Sequence, residues 1–199
     1  MAKGRPRSFC PEKALEAAIE VFRRQGYDGA SLCDLTAAMG INPPSLYAAF
    51  GNKEQLYRSA VEHYAAQIAD RRAKALAKPK LRDAIDALMQ YGVEMLTEGE
   101  RNAGCLLARS AYGCDVTAGK AWSDVRVRRA SATREIEDRL EQAKADGELP
   151  SDADTTSLAA FLTAVLEGMS GHAAAGADRK ALEGIAHQAL KVFPALGES

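Results

Sequence analysis

Residues 31–54 read Ser31-Leu32-Cys33-Asp34-Leu35-Thr36-Ala37-Ala38-Met39-Gly40-Ile41-Asn42-Pro43-Pro44-Ser45-Leu46-Tyr47-Ala48-Ala49-Phe50-Gly51-Asn52-Lys53-Glu54. Two short helices and the turn between them are written into this stretch. Ser31, with Asp34 three residues on, forms a capping box, and Leu32, Leu35 and Met39 fall on one inward face. Gly40 ends that helix. Asn42 is a fresh N-cap, and Pro43 takes the first helical position, where its missing N–H costs nothing. Leu46 and Phe50 then face inward, and Gly51-Asn52 stops this helix and caps the next. A short helix, a glycine turn and a second short helix make a helix-turn-helix. In that motif the second helix offers its first residues to base edges in the major groove while the first crosses the DNA backbone. The same pattern also occurs in ordinary helical bundles, so periodicity alone leaves both readings open.

The flanks are helical as well. From Pro11 to Gln25, Leu15, Ala18, Ile19 and Phe22 recur at helical spacing, with Gly26 as the stop. A long fourth helix runs through Leu56, Ala60, Tyr64 and Ile68 towards Lys78-Pro79. Five further helices are expected, at roughly 80–98, 103–112, 117–146, 153–174 and 178–195, with breakers at Gly99, Gly113, Gly147, Pro150 and Gly176. No stretch alternates as a strand does. The expected fold is therefore all-α, with about nine helices. A helix-turn-helix DNA-binding domain occupies residues 1–58, led by a basic arm at 1–10. A larger helical domain occupies 59–199, and the absence of a Pro/Ser-rich linker makes the fourth helix the joint.

Charge agrees with that division. The 199 residues carry a net charge of -1, so the chain as a whole is not a general polyanion binder. Residues 1–58 carry 8 Lys/Arg against 6 Asp/Glu, whereas 59–199 carry 18 against 21. Lys3, Arg5 and Arg7 precede the first acid, Glu12, and Gly4-Arg5-Pro6-Arg7 suits a narrow A·T minor groove. No apolar run nears the ~20 residues of a membrane span, and no apolar segment follows the basic N-terminus as in a secretory signal. Cys10, Cys33, Cys105 and Cys114 lack metal-ligand spacing, and His63, His172 and His187 stand apart. No phosphate-cradling glycine loop, G-x-S-x-G or H-E-x-x-H is present. The expectation is a cytoplasmic protein with reduced thiols that is not an enzyme and has no metal or cofactor.

The wording of Ser31–Glu54 closely resembles the signature of the TetR/AcrR family of transcriptional regulators. Ala17-Ala18, Phe22 and Gly26-Tyr27 match the family's first helix, so the strong resemblance covers about residues 5–65. It implies a dimeric, sequence-specific repressor that a small molecule releases from double-stranded operator DNA, with its last two helices packed against their symmetry mates. It further implies that Ser31, Tyr47 and Lys53 meet DNA phosphates. Ser45 is the best candidate for a base edge, with Asn42 and Ala48 near the groove. Pro43 and Pro44 bring no N–H and no polar side chain to the leading edge, so thymine methyl contacts and DNA shape carry more of the readout than usual.

In the larger domain, broad apolar faces on Leu158, Phe161, Leu162, Val165, Leu166 and Met169, and on Leu182, Ile185, Ala186, Ala189, Leu190 and Phe193, suit an interface or a deep core. Met89, Val93, Leu96, Leu106, Trp122, Phe161, Val165 and Met169 are candidate walls of a ligand cavity, with Tyr91, Arg109, Arg126 and His172 as polar anchors. Each apolar one of these also reads as ordinary core. Cys105 is a further candidate: Gly104-Cys105-Leu106-Leu107 resembles a feature of family members that respond to electrophiles or oxidants, and a helix N-terminus favours thiolate. The alternatives to a ligand-released repressor are thus a thiol-based sensor acting through Cys105, or a helical ligand-binding protein without operator recognition. The expected mechanism is a population shift, in which the ligand prefers a geometry whose recognition helices no longer match the operator.

Overall fold

A computed structural model describes residues 9–98, 104–108 and 119–193, the last stretch with side chains from residue 127 onward. Among these residues the chain is helical, with no strand. The elements are α1 (Pro11–Gly29), α2 (Leu32–Met39), α3 (Pro43–Phe50), α4 (Lys53–Leu76), α5 (Leu81–Thr97), α6 (Gly119–Ala145), α7 (Thr155–Ala174) and α8 (Arg179–Leu190). A helical turn at residues 106–108 lies between α5 and α6. No helix among the described residues is long and apolar enough to cross a membrane.

Local signals set most boundaries. The Ser31 hydroxyl accepts from the Asp34 amide at 3.0 Å, and the Asp34 carboxylate accepts from the Ser31 amide, which closes the capping box of α2. The Ser31 hydroxyl in turn donates to the Asp34 carboxylate at 2.7 Å, and this bond, with that from the Ser31 amide, holds the Asp34 carboxyl below its ordinary range. Asn42 Oδ1 accepts from the Ser45 amide at 2.9 Å, and Asn52 caps α4 through the Gln55 amide at 2.8 Å. Gly40 ends α2 with φ 65°, a left-handed conformation that glycine adopts without penalty.

Two helices depart from expectation. Gly26 breaks α1 as anticipated (φ 73°, ψ 179°), but one more turn follows and carries the element to Gly29. The final helix stops at Leu190, earlier than 195, where the Lys191 amide reverts to an i→i+3 bond with the Gln188 carbonyl.

The apolar faces gather into two cores. In the first, Ala18, Phe22, Leu35 and Leu46 are buried with Leu56, Tyr57, Ala60, Val61 and Tyr64 of α4, and the Tyr57 ring meets Phe22 edge-on at 4.9 Å. In the second, Ala75 and Leu76 at the end of α4 are buried with Ile85, Leu88, Met89, Val93 and Leu96 of α5, Ile136 and Leu140 of α6, Leu162 and Met169 of α7, and Leu182 and Ala186 of α8. α4 therefore supplies both cores, as the missing linker led us to expect. The seam carries buried polar chemistry too: Arg139 of α6 donates to the carbonyls of Leu76, Lys78 and Pro79 and so ties down the end of α4.

Leu46 is the single fully buried residue of α3, so it bears most of that helix's attachment. Leu46→Ala is expected to lower unfolding free energy by about 2–5 kcal/mol. Asn42→Ala, which removes only the cap, is expected to cost about 1 kcal/mol. Urea melts of both variants check the order.

Candidate nucleic-acid interface and the chamber behind it

The first turn of α3 faces solvent. Asn42, Pro43, Pro44 and Ala48 are exposed, Ser45 is half-buried, and Leu46 alone points fully into the core. Tyr47 is 50% exposed, an unusual position for a tyrosine whose ring has a core beside it, and this places it with the outward residues. Ser31 is exposed at the start of α2. Lys53, at the start of α4, lies with Nζ 4.6 Å from the centre of the Tyr27 ring, a cation–π contact. Ser31, Asn42 to Ser45 and Lys53 thus stand at or beside the starts of α2, α3 and α4, and Tyr47 and Ala48 lie on the exposed side of α3. Exposed amide ends and a cation are suited to phosphate, while the short side chains of α3 let its backbone approach base edges. Arg5 and Arg7 lie outside the described residues.

Beyond this face, α4, α5, α6, α7 and residues 105–108 line a partly open cavity of about 230 Å³. Its wall is largely apolar, built from Ala65, Ile68, Leu88, Met95, Leu96, Leu107, Ala132, Ile136 and Leu166. Gly92 lets α5 approach α7 closely, because a Cβ there would stand 2.8 Å from Leu166 Cδ2. Four of the charges on the wall form two pairs, while Arg128 also lines it with no ion pair among the described residues. Arg72 grips Glu135 with Nε and Nη2 at 2.8 and 3.0 Å, and Arg129 pairs with Glu167. Tyr91 also borders the cavity. Burial pushes its pKa up to about 12, partly opposed by Arg71, so it remains a hydroxyl donor at neutral pH. Its hydroxyl reaches the Met95 thioether at 3.5 Å, a weak acceptor that an incoming carbonyl or ether oxygen would outcompete.

The candidate cavity residues fall in several places. Leu96, Cys105 and Tyr91 border the chamber. Met89, Val93 and Met169 are instead fully buried core, where their inward faces meet side chains and not open space. Leu106 is buried in the first core, against the helix-turn-helix unit. Phe161 and Val165 line a shallow outer groove with Ala181, Gly184, Ile185 and Ala189 of α8, and His172 is exposed. Arg109 lies outside the described residues, as do the side chains of Trp122 and Arg126. Sequence reasoning missed Arg72, Glu135, Arg129 and Glu167, because charges at helical spacing read as solvated faces. Cys105 is half-buried, its amide donates to Ser170 Oγ at 2.8 Å, and no group of three or more potential metal ligands occurs among the described residues.

Comparison with known proteins agrees with this architecture. The model described as "Bacterial regulatory proteins, tetR family" matches residues 14–60, and "Tetracyclin repressor-like, C-terminal domain" matches residues 77–189. The chain is 32% identical over 197 residues to the HTH-type transcriptional repressor ComR of Escherichia coli (strain K12), covering 98% of this chain and 94% of that one. A shorter match, 37% over 116 residues, joins it to the repressor BdcR of the same organism, across 58% of this chain and 55% of that one. Among solved structures, a cysteine mutant of the TetR family regulator CifR bound to 26-bp double-strand operator DNA superposes with a TM-score of 0.87 at 37% identity, over 96% of this chain and 100% of that one. AibR, solved with isovaleryl coenzyme A and operator DNA, shares the fold with a TM-score of 0.71 at 19% identity, over 93% of this chain and 98% of that one.

The buried phenol gives a direct check on the chamber. In a spectrophotometric alkaline titration of the folded protein, Tyr91→Phe is expected to remove a phenolate that forms at about 12.

Proposed function

This chain belongs to the TetR family of bacterial regulatory proteins, and from that premise we propose that it is a dimeric repressor of transcription whose operator binding is released by a small molecule held in the chamber. It is a DNA-binding regulator and not an enzyme. The observation that carries the reading is the exposed start of α3, capped by Asn42 and flanked by Ser31, Tyr47 and Lys53, in a chain that superposes on an operator-bound relative. Residues 1–58, with the arm at 1–10, form the DNA-binding unit in this reading, and 59–199 the unit that binds effector and dimerises. Ser31, Tyr47 and Lys53 contact phosphates, Arg5 and Arg7 enter the minor groove, and Ser45 with Asn42, Pro43, Pro44 and Ala48 meets the bases. The protein acts in the cytoplasm, where the operator is.

Two copies pair through α7 and α8. The support is the outer groove there, which leaves Phe161 37% exposed beside Val165 and Ile185, an apolar strip that a second copy would cover. Two-fold pairing also sets recognition helices about one turn of DNA apart, which a palindromic operator requires.

The effector is a small, mostly apolar molecule. The chamber is below the usual 300–1,000 Å³ of drug-sized sites, its wall is largely apolar, and four of its charges are taken up in the Arg72–Glu135 and Arg129–Glu167 pairs, which leaves Arg128 to meet a polar end of the ligand. Because α4 contributes Ala65, Ile68, Ala69 and Arg72 to the wall, an occupant that prefers a different α4 position shifts the spacing of the two DNA-binding units. The ligand-released reading is preferred to a thiol sensor, since the structure holds a largely apolar cavity and Cys105 is half-buried in its wall.

A mobility shift on DNA flanking the gene tests this. The wild type is expected to form a sequence-selective complex that weakens with salt. Tyr47→Ala and Lys53→Ala should both weaken it, and Lys53→Ala should reduce the slope of log K against log salt by about 0.9, one phosphate's worth. A folded protein with no selective complex at any salt concentration would contradict the operator reading.

A further inference from the structure

Arg23 is a charged residue in the core of a DNA-binding unit. It lies on α1, only 6% exposed, and the helix-turn-helix does not use it. Its Nε donates to the Gly104 carbonyl at 2.9 Å and its Nη2 to the Met95 carbonyl at 3.3 Å, both from the far side of the seam. Nη1 meets Glu20 at 2.7 Å, and the guanidinium lies 5.8 Å from the centre of the Tyr64 ring. Burial disfavours its charge, but Tyr64 and Glu20 more than offset that, and the side chain stays cationic.

Both carbonyls belong to the chamber's surroundings. The Met95 side chain lines the cavity, and Gly104 directly precedes Cys105, which also lines it. Little slack exists between them. Gly104 has φ 74°, and a Cβ there would lie 3.2 Å from the Ser170 carbonyl oxygen, so the backbone is pressed against α7. The Cys105 amide donates to Ser170 Oγ at 2.8 Å, and Ser170 is itself a wall residue. One residue further on, Leu106 is buried in the same core as Phe22 and Leu35. A molecule that displaces the 105–108 wall must therefore move either the carbonyl that Arg23 holds or the side chain plugged into the DNA-binding core.

We propose that Arg23 is a coupling residue: its fork onto the Gly104 and Met95 carbonyls transmits the state of the chamber to the DNA-binding unit through α1, a route separate from the shared helix α4. This rests on the operator reading above. It assigns Arg23 a positioning role and no contact with DNA or effector. Substituting it should uncouple the two sites while leaving each able to bind.

Coupling is reciprocal, so it can be read from the DNA side with no effector in hand. Cys105 borders the chamber and serves as the reporter, with Cys10→Ser, Cys33→Ser and Cys114→Ser as background. The rate of Cys105 alkylation by iodoacetamide is measured with and without saturating operator DNA, and operator affinity is measured on the same samples. The expected result is a reproducible slowing of alkylation on operator binding, because the operator-bound state holds the cavity wall in one arrangement. In Arg23→Gln the slowing should be lost while operator affinity is kept. Arg23→Lys, which retains the charge but lacks the two-pronged fork, should behave likewise and guards against a folding defect in the first variant. An undiminished slowing in either folded variant, or no slowing in an operator-bound parent, overturns the coupling role and leaves the operator reading standing. A parent that binds no operator overturns both.

Discussion

Leu56, Ala60, Val61 and Tyr64 on the first half of α4 are buried with α1–α3, while Ala75 and Leu76 on its last turn are buried with α5–α8. A single 24-residue helix therefore satisfies two cores at once. Rotation or translation that suits one core is felt by the other, because close-packed interiors do not absorb displacement gradually. The chamber lies where this constraint is strongest, with Ala65, Ile68, Ala69 and Arg72 on its wall between the two buried stretches. The Arg72–Glu135 pair, with Arg72 largely buried, fixes α4 to α6 at that level. A ligand that fills or widens the space acts on the one element that both halves depend on, and the Arg23 fork gives α1 a second hold on the same wall.

Specificity and affinity have separate sources at the other end of the molecule. The leading edge of α3 offers two prolines, a serine and alanines, so hydrogen-bonded base readout is sparse. In the proposed reading Ser31, Tyr47 and Lys53 would supply backbone positioning, and such contacts dominate affinity and its salt dependence. The caps that expose these groups are the same bonds that end and begin the helices. Asn42 and Asn52 hold α3 and α4 at their first turns and leave those turns facing outward.

The DNA-binding half was legible because its signals are local. Ser31 with Asp34, Gly40, Asn42 with Pro43, and Gly51-Asn52 each specify a cap or turn within four residues, and each is found where the sequence placed it. The chamber was much less so. Helical periodicity identifies an inward face, but not which inward side chain meets another and which meets empty space. Met89 and Val93 are packed in the core, whereas Tyr91, Gly92 and Met95 on the same helix border the cavity. Arg72, Glu135, Arg129 and Glu167 resemble a solvated surface until α4, α6 and α7 bring opposite charges together across 63 and 38 residues of chain. Arg23 was hidden for the same reason, since its partners Met95 and Gly104 lie 72 and 81 residues away.

In the proposed mechanism operator DNA selects one spacing of the two DNA-binding units of a dimer. Cys33 is a native, exposed handle on α2, and a spin label there, with the other three cysteines replaced by serine, reports the distance between the two units by double electron–electron resonance. The account predicts a dipolar signal from paired labels, with a narrow distance distribution on operator DNA and a broader or displaced one without it. No dipolar signal, or the same distribution with and without bound operator, would contradict it.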